Sequence, residues 1–207
     1  MWYPKYTPRF WQRFFSTMRT HYPPSSTGPC LYLTFDDGPT EEHSRWILDQ
    51  LASYQAKASF FCLGKNVAAL PDLAQATLAE GHCLAMHGYA HLNGWKTNTA
   101  DYLADLEKAE QFIQSRYFRP AYGRIRPCQA KAIRAKGYEI IAWEIIPGDF
   151  DAQRRPQQSM QLLKEKAQDG SIIVLHDSLK AGAHLRVLLP ELLAYFSAKG
   201  YSFKVLP

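Results

Sequence analysis

Short apolar runs alternate along this chain with segments whose apolar residues recur every three or four positions. The runs cover Cys30 to Phe35, Ala58 to Leu63, His82 to His87, Tyr117 to Arg119, Glu139 to Trp143, Ser171 to His176 and Tyr201 to Leu206. They are bounded by turn or capping residues and are mostly apolar at successive positions, as parallel strands buried on both faces would be. The intervening segments read as helices. Thr40 can cap one, with Glu41 and Glu42 in its first turn and Trp46, Ile47, Leu51 and Tyr54 along one face. A second runs through the seventies to Gly81, and a third carries Tyr102, Leu103, Leu106, Ala109, Phe112 and Ile113. Pro127 and Gly137 bracket a fourth, and Gly170 and Gly200 mark later stops. Seven strands alternating with helices predict an α/β fold with a parallel sheet. An incomplete (β/α) barrel and an open doubly wound sheet both satisfy this pattern.

Upstream of the first strand, Phe10, Trp11, Phe14, Phe15 and Met18 recur at helical spacing, with Arg9, Arg13 and Arg19 nearby. This predicts an amphipathic helix that packs against its own domain, the usual use of an apolar face. A helix lying on a membrane surface is the alternative. Tyr22 to Pro29, rich in Pro, Ser and Gly, reads as a linker. The chain thus divides into a helix and linker over 1–29 and one domain over 30–207.

Composition narrows the picture. With 207 residues, 46% of them hydrophobic, the chain can bury one sizeable core but not two. The net charge of +5 comes from scattered Lys and Arg, so nucleic acid is not an expected partner. Cys30, Cys62, Cys83 and Cys128 form no C-x-x-C pair and read as free thiols. No run reaches the ~20 apolar residues of a membrane-crossing helix, and the N-terminus lacks the pattern of a secretory signal. The expectation is a cytoplasmic protein, in peripheral contact with the inner membrane surface if the first helix takes its alternative role.

Polar residues collect where the apolar runs end. Asp36 and Asp37 follow Phe35, His87 follows Met86, Arg119 follows Phe118, and His176 follows Leu175. Glu144 follows Trp143, with Asp149 just beyond. Active sites of barrels and open α/β sheets lie at the carboxyl ends of their strands. His87 and His91 stand four residues apart, so a helical turn after the strand would point both rings to one side. Two imidazoles and a carboxylate make a three-ligand site with positions left for water and substrate. Adjacent carboxylates on an extended backbone point apart, so Asp36 and Asp37 can take different tasks.

Thr34-Phe-Asp-Asp-Gly-Pro39 resembles the first signature of the polysaccharide deacetylase family, the NodB homology domain or carbohydrate esterase family 4. His87-Gly-Tyr-Ala-His91, Arg119-Pro-Ala-Tyr-Gly123, Trp143 through Asp149-Phe150, and Leu175-His-Asp177 resemble its later motifs, in family order. The resemblance implies a distorted, incomplete (β/α) barrel of about seven parallel strands. It implies a metal-dependent hydrolase that removes N-acetyl groups from N-acetylglucosamine-containing poly- or oligosaccharide, or from glycolipid. Asp36 would be the general base, oriented by Arg119. Asp37, His87 and His91 would hold one divalent ion, zinc foremost, with cobalt or nickel as alternatives. His176 would be the general acid, tuned by Asp149. The substrate would meet the backbone of Tyr122, with Pro120, Phe150 and Leu175 lining its pocket. Gly88 stands where Ser or Thr is usual, which implies weaker metal binding, and Phe150 stands where Trp is usual. A hydrolase of another C–N bond and a catalytically silent glycan-binding module remain as alternatives. A cytoplasmic protein would meet a short oligosaccharide or lipid-linked precursor.

Overall fold

The computed structural model describes residues 4–13, 17–26 and 28–207. Its centre is strand β1 (Cys30–Asp36), buried at every position. A strand with no exposed face needs neighbours on both edges and packing on both sides. β2 (Ala58–Cys62) and β6 (Ile172–His176) supply the edges in parallel register. Beyond β2 come β3 (Cys83–Met86), β4 (Tyr117–Phe118) and β5 (Glu139–Ile140), while β7 (Ser202–Phe203) pairs with the start of β1. Every pairing between these strands is parallel, and the sheet curls into the expected incomplete (β/α) barrel.

Helices α1 (Ser44–Ala52), α2 (Gly64–Ala69), α3 (Pro71–Ala79), α4 (Thr99–Glu110), α5 (Pro127–Ala135), α6 (Pro156–Lys166) and α7 (Leu179–Ala198) occupy the connections. Local chemistry sets their ends. The Asn98 side chain accepts the Asp101 N–H at 2.9 Å and caps α4. α5 opens on Pro127 and is followed by Gly137 at φ +94°. Strand alternation divides the apolar side chains in two. Leu31, Leu33, Phe35, Ile173 and Leu175 join Ile47, Leu51, Leu185 and Leu189 of the helices in the larger core. Cys30, Tyr32, Phe61, Ile141 and Ile172 form a smaller cluster within the curl. The four cysteines are free thiols. Among the described residues no helix is long and apolar enough to cross a membrane.

The N-terminal segment differs from the expected helix. It contains a five-residue 3-10 helix, Arg9–Arg13; Phe14 and Phe15 lie outside the described residues. On either side its backbone is bonded to the seam between β5 and β6. Thr7 N–H donates to Glu144 O at 2.8 Å, Arg19 N–H to Ile140 O at 2.8 Å, and Ala142 N–H to Arg19 O at 2.7 Å. Tyr6 bridges Ile145, which itself pairs with Ile173 of β6. Those external bonds compete with a longer helix. Arg19 lines the edge of the β5 run opposite β4, while Ile141 N–H still donates to Phe118 O of β4 at 2.9 Å. The 22–29 stretch is likewise tethered: Tyr22 N–H donates to Gly170 O, and the Ser25 and Cys30 N–H groups donate to the Asp169 carboxylate. Thr27, within it, lies outside the described residues.

Arg9 crosses from this segment to Glu144, whose side chain is fully buried. Its Nε and Nη2 donate to the two carboxylate oxygens at 2.9 and 3.1 Å. Ser171 Oγ and Gln168 Nε2 donate to the same carboxylate. Glu144 therefore belongs to the seam. Arg9→Ala strips the guanidinium from a buried carboxylate and is expected to cost about 2–3 kcal/mol, since two neutral donors remain. Adding Glu144→Gln should recover part of that loss. Urea denaturation of the parent, both single variants and the double variant measures the coupling; equal and additive losses would rule it out.

Candidate active site

The carboxyl end of β1 carries the two aspartates in different backbone states. Asp36 is the last strand residue. Asp37 follows at φ +79°, a left-handed conformation that turns its side chain away from that of Asp36. Two bonds hold that turn: Asp37 N–H donates to Phe61 O at 3.2 Å, and Asn66 Nδ2 donates to Asp37 O at 2.7 Å.

Asp36 faces Arg119, which follows β4 and has no solvent exposure. Arg119 Nη1 donates to Asp36 Oδ1 at 2.6 Å and to Thr34 Oγ1 at 2.8 Å. Nε and Nη2 donate to the carbonyls of Ile141 and Ala142, and the guanidinium lies 3.9 Å over the Phe61 ring. Burial lowers the Arg119 pKa, with the Asp36 charge acting in opposition.

His87 and His91 lie on a loop rather than on the expected helical turn. Gly88 at φ +80° and His91 at φ +62° break any helix there. The rings converge regardless, with centroids 5.1 Å apart. His87 Nδ1 sits 2.8 Å from Arg119 O, which accepts its proton and leaves the Nε2 lone pair available. His87 Nε2 and His91 Nε2 lie 3.6 and 3.2 Å from Asp37 Oδ1. Donor atoms at ~2.0–2.1 Å from one tetrahedral centre stand ~3.3–3.4 Å apart. Asp37 Oδ1 is itself buried with no hydrogen-bond partner. A buried carboxylate oxygen without a donor is costly, and a cation between it and the two imidazoles would relieve that cost. The donor set fits a divalent ion. Burial opposes ionisation of Asp37, but His91, His87 and His176 outweigh it and hold the carboxyl far below its ordinary range. Burial also lowers the pKa of His87.

His176 ends β6 and is the register partner of Asp36. Its Nδ1 lies 3.0 Å from Asp149 Oδ1, and its backbone N–H donates to Asp149 Oδ2 at 2.7 Å. Burial works against the imidazolium, but the Asp149 charge and hydrogen bond, with Asp36 and Asp37, push its pKa up to about 9. Phe150 packs edge-on against the His176 ring at 4.7 Å. Tyr122, at φ +61°, sets its ring 4.4 Å from that of His91. Pro120 is buried beneath this turn. Of the residues expected at the site, Leu175 is the one not brought to it. Strand alternation turns it to the face opposite His176, where it is fully buried in the larger core.

The sequence assigned no role to several residues that support the site. Thr34, Phe61 and Asn66 support the two aspartates, and Asp177 accepts from Thr40 and Ser44 behind the Gly38 turn. Thr34 and Asp177 lie inside recognisable motifs. Phe61 and Asn66 carry no such signal, because only the curl of the sheet brings them to Asp36 and Asp37.

The Asp37, His87 and His91 cluster thus sits at the mouth of an inward-curled, incomplete (β/α) barrel of parallel strands. The polysaccharide deacetylase family model matches residues 24–141, and the chain belongs to that family. It is 30% identical over 184 residues to a peptidoglycan-N-acetylglucosamine deacetylase of Bacillus cereus, covering 84% of this chain and 66% of that protein. It is 32% identical over 187 residues to a peptidoglycan-N-acetylglucosamine deacetylase of Listeria monocytogenes, covering 87% of this chain and 39% of the relative. The chain thus spans less than two thirds of the length of either. Among solved structures, a peptidoglycan N-acetylglucosamine deacetylase crystallised with 4-naphthalen-1-yl-N-oxidanyl-benzamide superposes with a TM-score of 0.85 at 26% identity, covering 98% of this chain and 96% of that one.

Folding raises the His176 pKa from 6.5 to about 9. The folded state then holds this proton more tightly than the unfolded one. The resulting stabilisation is complete below pH 6.5 and is lost as the pH rises through about 9. Denaturation in the presence of chelator should show a fall of roughly 3 kcal/mol across that range. Asp149→Asn should flatten it; an unchanged slope in the variant would exclude Asp149 as the cause.

Proposed function

We propose that this chain is a metal-dependent hydrolase that removes N-acetyl groups from N-acetylglucosamine-containing oligo- or polysaccharide. The register of β1 against β6 carries this reading. It pairs Asp36 with His176 on neighbouring strands, which stand about 4.8 Å apart with partner side chains on one face. A carboxylate and an imidazole of raised pKa therefore flank one point, beside Asp37, His87 and His91. The substrate class is supported by relatives named as peptidoglycan-N-acetylglucosamine deacetylases.

Asp37, His87 and His91 would hold the ion, zinc foremost, with cobalt or nickel as alternatives. Such an ion would polarise the amide carbonyl and make water more acidic. The protein's own groups then act on either side of the scissile bond. Asp36 takes a proton from the attacking water. Arg119, bonded to Asp36 Oδ1, fixes the carboxylate, and Oδ2 lies 3.9 Å from His87 Nε2 on the metal side. The backbone N–H of Tyr122 donates to the oxygen that gains charge as the carbonyl becomes tetrahedral. His176, held and kept protonated by Asp149, gives its proton to the leaving amine. Pro120 and Phe150 wall the pocket, and Phe150 retains an aromatic face without an indole N–H.

Acetate release from N-acetylglucosamine oligomers tests this directly. Chelated protein should be inactive and regain activity with zinc or cobalt. Asp36→Asn should lower kcat about 10²–10⁴-fold with metal still bound. Activity needs protonated His176, so it should fall as pH rises through about 9. Asp149→Asn removes the charge that raises this pKa and should move the alkaline limb to lower pH. Release that survives chelation or Asp36→Asn would sink the proposal.

A further inference from the structure

We infer that Asp105, on α4, is the positioning residue that sets His91 at the metal site, in place of any side chain at position 88. This rests on the metal reading above. His87 is fixed through its own ring, by the bond to Arg119 O. His91 is held differently. Among the described residues its ring neighbours are Asp37, His87 and Tyr122, and its backbone sits at φ +62°. Its placement therefore depends on the path of residues 88–90.

Two helices clamp that path from opposite sides. On one side α2 donates to its carbonyls: Gly64 N–H to Gly88 O at 2.9 Å, and Lys65 N–H to Tyr89 O at 3.3 Å. On the other side Asp105 accepts from its amides. Tyr89 N–H donates to Oδ2 at 2.8 Å and Ala90 N–H to Oδ1 at 2.9 Å. Both carboxylate oxygens are engaged by consecutive amides, the second of them immediately before His91. Charge-assisted bonds of this kind are about twice as strong as neutral ones.

Position 88 lies under the same carboxylate. A Cβ built on Gly88 would stand 2.7 Å from Asp105 Oδ2, and the left-handed φ of +80° disfavours a side chain there. A side chain at 88 would displace the Asp105 carboxylate from the position in which it holds both amides. The glycine that was expected to weaken metal binding is therefore what admits the carboxylate.

Competition for zinc against a chromophoric chelator, run on the full chain, tests this. Asp105→Asn keeps the shape but turns an amide N–H₂ toward one of the two backbone donors. It should bind zinc about 10–100-fold more weakly than the parent, while the melting temperature in chelator changes little. The visible spectrum of the cobalt form should shift as His91 moves. Gly88→Ala, which drives a methyl into Asp105, should weaken zinc in the same way, and the double variant should lose less than the product of the two. Zinc binding by Asp105→Asn equal to the parent's would overturn the inference and leave the deacetylase reading intact. So would weakening matched by lost stability of the metal-free fold, which marks a merely structural role. A parent that holds no zinc would overturn both.

Discussion

Arg119 carries a full charge inside the barrel with no solvent contact, and taking such a charge out of water costs several kcal/mol. The surrounding structure is organised to offset that cost. Asp36 provides the countercharge, Thr34 a hydroxyl, Ile141 and Ala142 two carbonyls, and Phe61 an aromatic face. These partners come from β1, β2 and the segment after β5. The ion pair therefore ties together parts of the sheet that are not neighbours in sequence. It also reaches the metal side, since the Arg119 carbonyl sets which nitrogen of His87 is exposed to Asp37.

Around this fixed point the backbone adopts conformations that side chains ordinarily avoid. Asp37, His91 and Tyr122 all have positive φ. Each such residue costs of order 1–3 kcal/mol and persists only where its surroundings hold it. Here the holding contacts are specific. Phe61 O and Asn66 grip the Asp37 peptide, and α2 and Asp105 grip the approach to His91. These left-handed residues lie directly after β1 and on the segments that follow β3 and β4. The turn after β1 separates Asp36 from Asp37, so one carboxylate meets an arginine and the other meets two imidazoles.

The opposite demand arises at the seam between β5 and β6, where the barrel is incomplete. Unpaired strand edges need hydrogen-bond partners. The N-terminal segment provides them through Thr7, Arg19 and Tyr22, and Arg9 neutralises the buried Glu144. Residues whose pattern suggested a helix packed on its own domain, followed by a linker, instead pair through their backbone with the domain's wall. Phe10 stays largely exposed, while Tyr6 and Met18 pack against the larger core.

The chain's own pattern determined a good deal. Doubly buried strands such as Cys30 to Asp36 need unbroken apolar runs, so their positions are legible residue by residue, and so is the polar residue that ends each run. Consecutive motifs carried the family and most of the site, because Asp36, Asp37, His87, His91, Arg119 and His176 lie on those strand ends. Tertiary structure decided what local pattern cannot encode. The choice between a curled barrel and an open sheet depends on how distant strands close. The direction of Leu175 depends on which face of β6 the helices cover. The path of the chain around Tyr6, Thr7 and Arg19 depends on whether an unpaired edge lies within reach. Asn66 and Asp105 act at the site from helices whose sequences give no sign of it, because their roles consist of contacts to backbone groups at least fifteen residues away. Sequence periodicity records which face of an element is buried; it does not record what lies against that face.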